Sequence, residues 1–251
     1  MTSLLTRMAS GKPQLGLWQA LANPYTAEIC ARAGFDWLLF DGEHAPNTAQ
    51  TLLAQLQAVS AFPVAAVARV PQGEPVSIKQ YLDIGFSTLL VPMIDNADHA
   101  RAVVSACRFP PLGIRGVASA TSRASGFGSI PDYLARAHER VSLIAQVESR
   151  AALSAIDDIA AVDGIDALFI GPADLAASLG HLGNPRHPEV QDAISHAKSR
   201  IDAAGKPAGI FALSVEDADA RMAQGFAFLS VGTDIGLLTR GSSDLLATLR
   251  S

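Results

Sequence analysis

The segment 141–174, VSLIAQVESRAALSAIDDIAAVDGIDALFIGPAD, contains two apolar runs separated by a stretch with helical periodicity. The first run ends at Glu148, and the second is followed by Asp174. Short continuous apolar runs of this kind are typical of buried parallel strands, and the stretch between them predicts a connecting helix. The segment therefore predicts a β–α–β unit with a carboxylate at the C-terminal end of each strand.

The same alternation recurs along the whole chain of 251 residues. Strands are predicted at residues 14–20, 37–41, 64–70, 88–93, 143–148, 167–170, 208–213 and 226–231. Helices are predicted at residues 25–33, 49–60, 75–84, 97–108, 151–161, 188–204, 215–224 and 236–249. Glycine follows several of these helices, which is typical of helix C-termini. The pattern predicts an α/β fold, a (β/α)₈ TIM barrel in one domain over residues 1–251.

An open, doubly wound sheet is the alternative fold, but no Gly-x-Gly-x-x-Gly motif follows the first predicted strand. The formal charge is −5 and no basic cluster is present, which argues against nucleic-acid binding. No apolar run has the length of a membrane span, and the N-terminus does not resemble a signal peptide, so we expect a cytoplasmic protein. Cys30 and Cys107 lack metal-ligand spacing and are expected to be free, buried thiols.

Glu148 and Asp174 are candidate ligands of one divalent cation. The C-terminal strand ends form the active-site face of a β/α barrel, and adjacent strands lie about 4.8 Å apart. Carboxylate oxygens favour Mg²⁺ or Mn²⁺ over zinc, and two protein ligands would leave positions free for substrate. The alternative is that the two acids are helix N-caps or ion-pair partners.

Three further polar residues lie at or just beyond the ends of predicted strands. Arg69 offers a planar fork for a carboxylate or enolate oxygen, although an internal ion pair with Glu148 or Asp41 is an alternative. His44 lies three residues after Asp41, whose carboxylate could orient the imidazole as an acid–base group. The alternative for His44 is a loop residue that caps the next helix.

The lysines argue against Schiff-base chemistry. Lys12 and Lys206 precede strands, and Lys79 and Lys198 lie within helices, so none is expected inside the barrel mouth. A cation, an arginine and a histidine without such a lysine favour chemistry through an enolate of a 2-oxo acid. A metal-bearing binding protein without turnover is the non-enzymatic alternative.

The long irregular stretch 110–133 is expected on the active-site face, because it comes after the fourth predicted strand. Arg115 and Arg123 lie within it. We expect one of them to bind the distal carboxylate of a dicarboxylic substrate, either within one chain or across a subunit interface. A surface or interface ion pair is the alternative.

The chain resembles the HpcH/HpaI family of class II, pyruvate-specific aldolases. The resemblance extends over almost the whole chain, from Gly16 to the eighth strand. The motifs that carry it are GFDWLLFDGEHAPN at 34–47, LLVPM at 89–93, RFPPLGIRG at 108–116, QVE at 146–148 and FIGPADL at 169–175.

The resemblance implies that Glu148 and Asp174 hold Mg²⁺, Mn²⁺ or Co²⁺, with no organic cofactor. It implies that Arg69 binds pyruvate and its enolate, and that His44, supported by Asp41, is the acid–base group. The backbone N–H groups of Ala173 and Asp174 would bind the pyruvate carboxylate. Further substrate-site residues implied by the family are Gln146, Gly171, Pro172 and Phe211.

Two positions depart from the family pattern, and both concern the aldehyde side. Phe211 stands where a smaller aliphatic residue is expected, and residues 117–121 differ from a glycine-containing version. The implied reaction is reversible cleavage of a 4-hydroxy-2-oxo acid, foremost 4-hydroxy-2-oxoheptanedioate, to pyruvate and an aldehyde, here succinate semialdehyde. The alternatives are 2-dehydro-3-deoxyglucarate or 2-keto-3-deoxyrhamnonate as substrate and, more remotely, citrate-lyase-like cleavage of a CoA thioester.

The resemblance also has implications for assembly and biological role. It implies a homohexamer, built as a trimer of dimers, with the C-terminal helix exchanged between subunits. It places the reaction in the catabolism of aromatic compounds, with small molecules as the other partners.

Overall fold

The computed structural model describes residues 4–8 and 10–250, and its strands form one closed parallel barrel in the order β1 to β8. The strands are β1 Gln14–Gln19, β2 Trp37–Asp41, β3 Ala65–Arg69, β4 Thr88–Val91, β5 Ser142–Val147, β6 Ala167–Ile170, β7 Ala208–Phe211 and β8 Phe228–Thr233. Each of these strands overlaps a predicted strand, and their end points differ by only a few residues. The predicted (β/α)₈ barrel is therefore confirmed.

Helices alternate with these strands. They are α1 Leu4–Met8, α2 Pro24–Arg32, α3 Ala49–Val59, α4 Pro75–Asp83, α5 Ala97–Cys107, α6 Tyr133–Arg136, α7 Arg150–Ser154, α8 Ile156–Ala160, α9 Pro172–Ser178, α10 Pro188–Ala203, α11 Val215–Ala223 and α12 Asp234–Arg250. Within the described ranges, no helix is both long and apolar enough to cross a membrane.

Successive strand residues face two different apolar cores. In β2, Leu38 and Phe40 pack between the sheet and the surrounding helices, whereas Trp37 and Leu39 belong to the barrel interior. This division follows from the alternation of side chains along a strand. Leu4 of α1 also belongs to the interior cluster, so this short helix packs against the barrel core. The barrel interior is filled by packed side chains, so a binding cavity is confined to the mouth of the barrel.

Two helical features differ from the sequence-based expectation. The predicted helix 151–161 consists of two short helices, α7 and α8, because the backbone of Ala155 leaves the helical region at φ −106° and ψ 9°. The helix α9 was not predicted. Its sequence, PADLAAS, is short, and proline at its first position favours helix initiation.

The stretch 110–133 does not lie on the active-site face of this chain. It comes after α5, and so leads from the end of a helix to the start of β5, at the N-terminal end of the barrel. Arg115 is buried there, with Nη2 2.6 Å from Asp83 Oδ1 and its guanidinium stacked on Phe109. Arg123 donates to the carbonyl of Ile84 at the end of α4. The expected contact with substrate is therefore wrong within one chain, and a contact across an interface stays a prediction.

Gly209 in β7 shows how tightly the interior is packed. A Cβ atom at this position would lie 2.3 Å from Phe228 Cζ and 2.7 Å from Phe169 Cδ2. Both phenylalanine rings are buried and pack against each other, with centroids 5.7 Å apart. The rings can therefore yield only by leaving well-packed positions.

We predict that Gly209→Ala lowers the free energy of unfolding by about 1–3 kcal/mol, since it overpacks the interior. The matched control is Gly241→Ala in α12, where a Cβ meets nothing within 4 Å. That substitution should leave stability unchanged or raise it by up to about 1 kcal/mol, because alanine favours a helix over glycine. Urea unfolding followed by circular dichroism measures both. Equal effects of the two substitutions would contradict this account of the interior.

Candidate active site

The polar residues predicted from the strand ends lie around one rim of the barrel. Asp41 and Arg69 are the last residues of β2 and β3 and are paired directly in the sheet register. Glu148 follows β5, and Asp174 lies in the first turn of α9 after β6. All the strands are parallel, so these side chains share the C-terminal face of the barrel.

Arg69 is held by two carboxylates. Its Nε and Nη2 donate to Asp41 Oδ1 and Oδ2 at 2.9 and 2.6 Å, while Nη1 lies 2.9 Å from Glu43 Oε2. The guanidinium carbon also lies 5.0 Å from the ring centroid of Trp18, whose Nε1 donates to Asp41. Burial would raise the pKa of Asp41, but hydrogen bonds and charge from Arg69 outweigh it and leave the pKa below its ordinary value. The guanidinium of Arg69 is thus a cation held in one position, and some of its N–H groups are free to bind a ligand.

His44 is not oriented by Asp41 as expected. Asp41 Oδ1 accepts hydrogen bonds from the backbone N–H groups of Glu43 and His44, and no described contact joins Asp41 to the imidazole. The carboxylate near the ring is Glu43, whose Oε2 lies 3.8 Å from His44 Nε2. Glu43 therefore lies between Arg69 and His44. The His44 side chain itself is 66% exposed and faces solvent at the mouth.

Glu148 is a buried carboxylate with a specific cradle. Its Oε1 accepts from the backbone N–H of Met93 at 2.9 Å, and its Oε2 accepts from Gln146 Nε2. Met93 has a φ of 55°, an uncommon value for a residue with a side chain, so the local backbone is held in a strained form to present this N–H. A Cβ on Gly171 would lie 2.5 Å from Glu148 Oε2. The close approach therefore requires glycine at position 171.

The surroundings of Glu148 disfavour the ionised form of its side chain. Burial raises the pKa of Glu148 to about 7, and the charges of Asp174 and Glu43 contribute in the same direction. Burial also raises the pKa of Glu43, although Arg69 opposes this. The carboxylates on this rim thus outnumber Arg69, and a cation would relieve their repulsion.

A cavity of about 300 Å³ opens beside these groups, a size that accommodates a small organic molecule. Its walls combine a polar side with an apolar side. The lining residues are Trp18, His44, Arg69, Gln146, Phe169, Gly171, Pro172, Ala173, Asp174, Phe211, Leu213 and Thr233.

The polar side includes the start of α9. The first main-chain bond of this helix runs from Leu175 N to Gly171 O, so the N–H groups of Ala173 and Asp174 precede the helical ladder. Phe211, at the end of β7, forms the apolar side and packs edge-on against Trp18 with centroids 5.6 Å apart. The structure thus brings together the cavity-lining residues that were predicted from the sequence.

Three site residues were missed by sequence reasoning. Trp18 lies one residue before the end of β1, and the alternation of the strand could have placed it inside the barrel. Glu43 lies in the segment after β2 that also supplies Asp41 and His44, but residue spacing does not say which carboxylate faces the imidazole. Met93 contributes a backbone group, for which its side chain gives no signal.

Comparison with known proteins gives a consistent result. Residues 14–240 match the model of the HpcH/HpaI aldolase/citrate lyase family. The chain belongs to this family. It is 56% identical over 243 residues to a hydroxypyruvate/pyruvate aldolase of Deinococcus radiodurans, covering 97% of this chain and 88% of the relative. It is 52% identical over 240 residues to a 4-hydroxy-2-oxo-heptane-1,7-dioate aldolase of Salmonella dublin, covering 96% and 91%.

A solved structure of the same family has nearly the same fold. It is an HpcH/HpaI aldolase/citrate lyase family protein from Burkholderia cenocepacia J2315, with a TM-score of 0.95 and 42% identity. The alignment covers 99% of each chain. The predictions of family membership and of a carbon–carbon lyase are therefore confirmed.

Glu148 generates a prediction about pH. Its raised pKa means that, between pH 4.5 and about 7, the folded protein binds more protons than the unfolded chain. Stability in the presence of a chelator should therefore fall as pH rises through this window, by up to about 3 kcal/mol. The amide introduced by Glu148→Gln carries no charge, so this variant should not show this loss of stability. Its amide could donate to Gln146 Oε1, which is buried without a partner.

Urea unfolding of the wild type and of Glu148→Gln, near pH 5 and near pH 8 in chelator, tests this prediction. The wild type should lose more stability than the variant on going to the higher pH. A stability difference between the two proteins that is the same at both pH values would contradict the raised pKa.

Proposed function

We propose that this protein is a divalent-metal-dependent aldolase that reversibly cleaves 4-hydroxy-2-oxo acids to pyruvate and an aldehyde. The observation that carries the proposal is the juxtaposition of a fixed guanidinium, Arg69, with the carboxylates Glu148 and Asp174 on one rim of the barrel. This arrangement suits a substrate in which negative charge develops on an oxygen atom adjacent to the substrate's own carboxylate. Family membership supports the same class of reaction.

The residues present suit a hard divalent cation. Glu148 is 3% exposed, and Gln146 Oε1 beside it is a buried oxygen without a hydrogen-bond partner. Both observations favour a cation that accepts oxygen ligands, such as Mg²⁺, Mn²⁺ or Co²⁺. We assign Glu148 and Asp174 as the protein ligands, with Gln146 close by. When bound, the cation would supply Lewis-acid stabilisation of charge on the keto oxygen.

The proposed role of Arg69 is to bind the 2-oxo acid and to stabilise its enolate. Asp41 accepts from two of its five N–H groups and Glu43 forms an ion pair with Nη1, which leaves N–H groups on the terminal nitrogens for the substrate. Because the side chain is held on two sides and stacked on Trp18, it needs little reorganisation as charge develops. The N–H groups of Ala173 and Asp174 would bind the pyruvate carboxylate at the opposite side of the cavity.

His44 is the proposed acid–base group. In the cleavage direction it would accept the proton of the C4 hydroxyl, and it would return a proton to the methyl carbon of pyruvate, directly or through water. We propose that Glu43 positions His44, in place of the predicted Asp41. This proposal rests on the 3.8 Å separation of Glu43 Oε2 and His44 Nε2.

The aldehyde would lie against Phe211, Trp18 and Leu213, the apolar side of the cavity. Phe211 would narrow this side and favour a short aldehyde or one with a flexible chain. The two curated relatives differ in their named substrates, and 4-hydroxy-2-oxoheptanedioate, which gives succinate semialdehyde, is our first proposal. Sugar-acid substrates such as 2-dehydro-3-deoxyglucarate and 2-keto-3-deoxyrhamnonate, and hydroxypyruvate as the donor, are the alternatives for the same chemistry.

A hexameric assembly with exchange of the C-terminal helix is also proposed. The helix α12 contacts β1 and β8 near its start, yet Leu238, Leu245 and Leu249 along its length are exposed. Exposed apolar faces of this kind are typical of association surfaces. A role in aromatic catabolism follows if succinate semialdehyde is the aldehyde product.

The proposed function predicts that a chelator abolishes pyruvate release and that Mn²⁺ or Mg²⁺ restores it. A lactate-dehydrogenase-coupled assay measures pyruvate released from a panel of 4-hydroxy-2-oxo acids, and a malate-dehydrogenase-coupled assay measures oxaloacetate released from a citryl thioester. Release from the 2-oxo acids supports the proposal, and release from the thioester alone supports the citrate-lyase-like alternative. Full activity after exhaustive chelation, or trapping of pyruvate on a lysine by borohydride, would contradict the metal-dependent mechanism.

Arg69→Lys should lower kcat/KM for cleavage by about 100-fold or more, because lysine cannot reproduce the fork held by Asp41. Exchange of the pyruvate methyl protons in D₂O, followed by NMR, should slow in parallel, since both reactions need the enolate. Arg101→Lys, on an exposed face of α5 beside Asp98, is the matched control and should leave both rates unchanged. Unchanged proton exchange in Arg69→Lys would show that Arg69 does not stabilise the enolate.

A further inference from the structure

A second cluster of metal-ligating side chains lies beyond the C-terminal end of α9. It consists of His181, in the segment between α9 and α10, and of His187 and Glu189 at the start of α10. One ligand atom from each of the three residues lies within 4.8 Å of the other two. Asp174 lies in the first turn of α9, and the helix rises about 6 Å from Asp174 to its end at Ser178, three residues before His181. None of the three cluster residues lines the active-site cavity. The cluster is thus distinct from the active-site rim.

The main chain holds these residues in a compact turn. His181 N donates to Ala176 O at 2.7 Å, Asn184 N donates to His181 O, and His187 N donates to Asn184 O. His187 is the N-cap of α10, and its Nδ1 accepts from Glu189 N at 3.2 Å. The three side chains are therefore brought together by a fixed backbone, and chance contacts of mobile chains do not account for their proximity.

The side chains interact closely with one another. His181 Nε2 lies 2.7 Å from Glu189 Oε2, and the rings of His181 and His187 stack with centroids 3.5 Å apart and an interplanar angle of 15°. Arg150 lies 4.0 Å from the other carboxylate oxygen of Glu189. Two imidazoles and one carboxylate thus converge in one place.

We propose that His181, His187 and Glu189 bind a transition-metal ion of the Zn²⁺ type. Two nitrogen ligands and one oxygen ligand match the preferences of Zn²⁺, Co²⁺ or Ni²⁺, whereas the active-site carboxylates match Mg²⁺ or Mn²⁺. A tetrahedral ion with bonds of about 2.1 Å places its ligand atoms about 3.4 Å apart. The most distant pair of these atoms therefore needs to approach by no more than about 1.4 Å. The pair His181 Nε2 and Glu189 Oε2, now 2.7 Å apart, needs to separate by about 0.7 Å.

Metal binding requires a local rearrangement. Two nearly parallel rings cannot both point a nitrogen lone pair at one ion, so one ring must rotate out of the stack. The side chain of His181 is 23% exposed and that of Glu189 is 53% exposed, which leaves room for this rotation and for water at the fourth position. The ion would replace the direct bond from His181 to Glu189. It would also fasten the end of α9, which carries Asp174 in its first turn, to the start of α10.

The test measures Zn²⁺ binding by isothermal titration calorimetry, with Mg²⁺ in excess to occupy the active-site carboxylates. The wild type should bind one equivalent of Zn²⁺ under these conditions, and His181→Asn/His187→Asn should bind none. Asparagine keeps a capping side chain at the start of α10. His196→Asn, an exposed histidine in the middle of α10, is the matched control and should bind as the wild type does.

Glu148→Gln/Asp174→Asn separates the two sites and makes this test independent of the proposed function. This variant should lack activity and still bind one equivalent of Zn²⁺. Circular dichroism of each variant checks that the barrel is intact. A Mg²⁺-resistant Zn²⁺ site that survives His181→Asn/His187→Asn would overturn the proposal, as would a wild type without such a site.

Discussion

A carboxylate buried at the mouth of the barrel is the constraint on which the site depends. Glu148 is almost fully buried, and its described surroundings supply two hydrogen bonds but no cation. Three local features accommodate this carboxylate. They are the strained backbone of Met93, the amide of Gln146 and the absence of a side chain at Gly171. A buried charge is costly unless it is compensated. The cation proposed at this rim would supply that compensation.

Arg69, in contrast to Glu148, is a buried charge that is more than compensated, because the carboxylates of Asp41 and Glu43 both contact its guanidinium. Direct pairing of Asp41 with Arg69 in the sheet register brings their side chains together at adjacent strand ends. Glu43 then extends the network toward His44. The proposed substrate-binding group, Arg69, and the proposed acid–base group, His44, are thus connected through the carboxylate of Glu43.

Much of this organisation could be predicted from sequence, because it depends on period and position. Apolar runs gave the strands, and polar residues at their ends gave Arg69, Glu148 and Asp174. The choice between Asp41 and Glu43 as the partner of His44 depended on side-chain direction after a strand ends, where alternation no longer applies. The placement of residues 110–133 was wrong for another reason. They were assigned to the strand before them, although α5 intervenes and reverses the chain.

Closure of the barrel has a consequence for how the chain is made. The strand β1 pairs with β8, and Asp234 accepts a hydrogen bond from the backbone N–H of Ala20, 214 residues earlier in the sequence. During synthesis at about 5–20 residues per second, β1 therefore waits roughly 10–40 s for its neighbour to leave the ribosome. Through that interval one edge of the growing sheet is unpaired and open to association with other chains. The nascent protein therefore carries an unpaired strand edge until its last strand is synthesised.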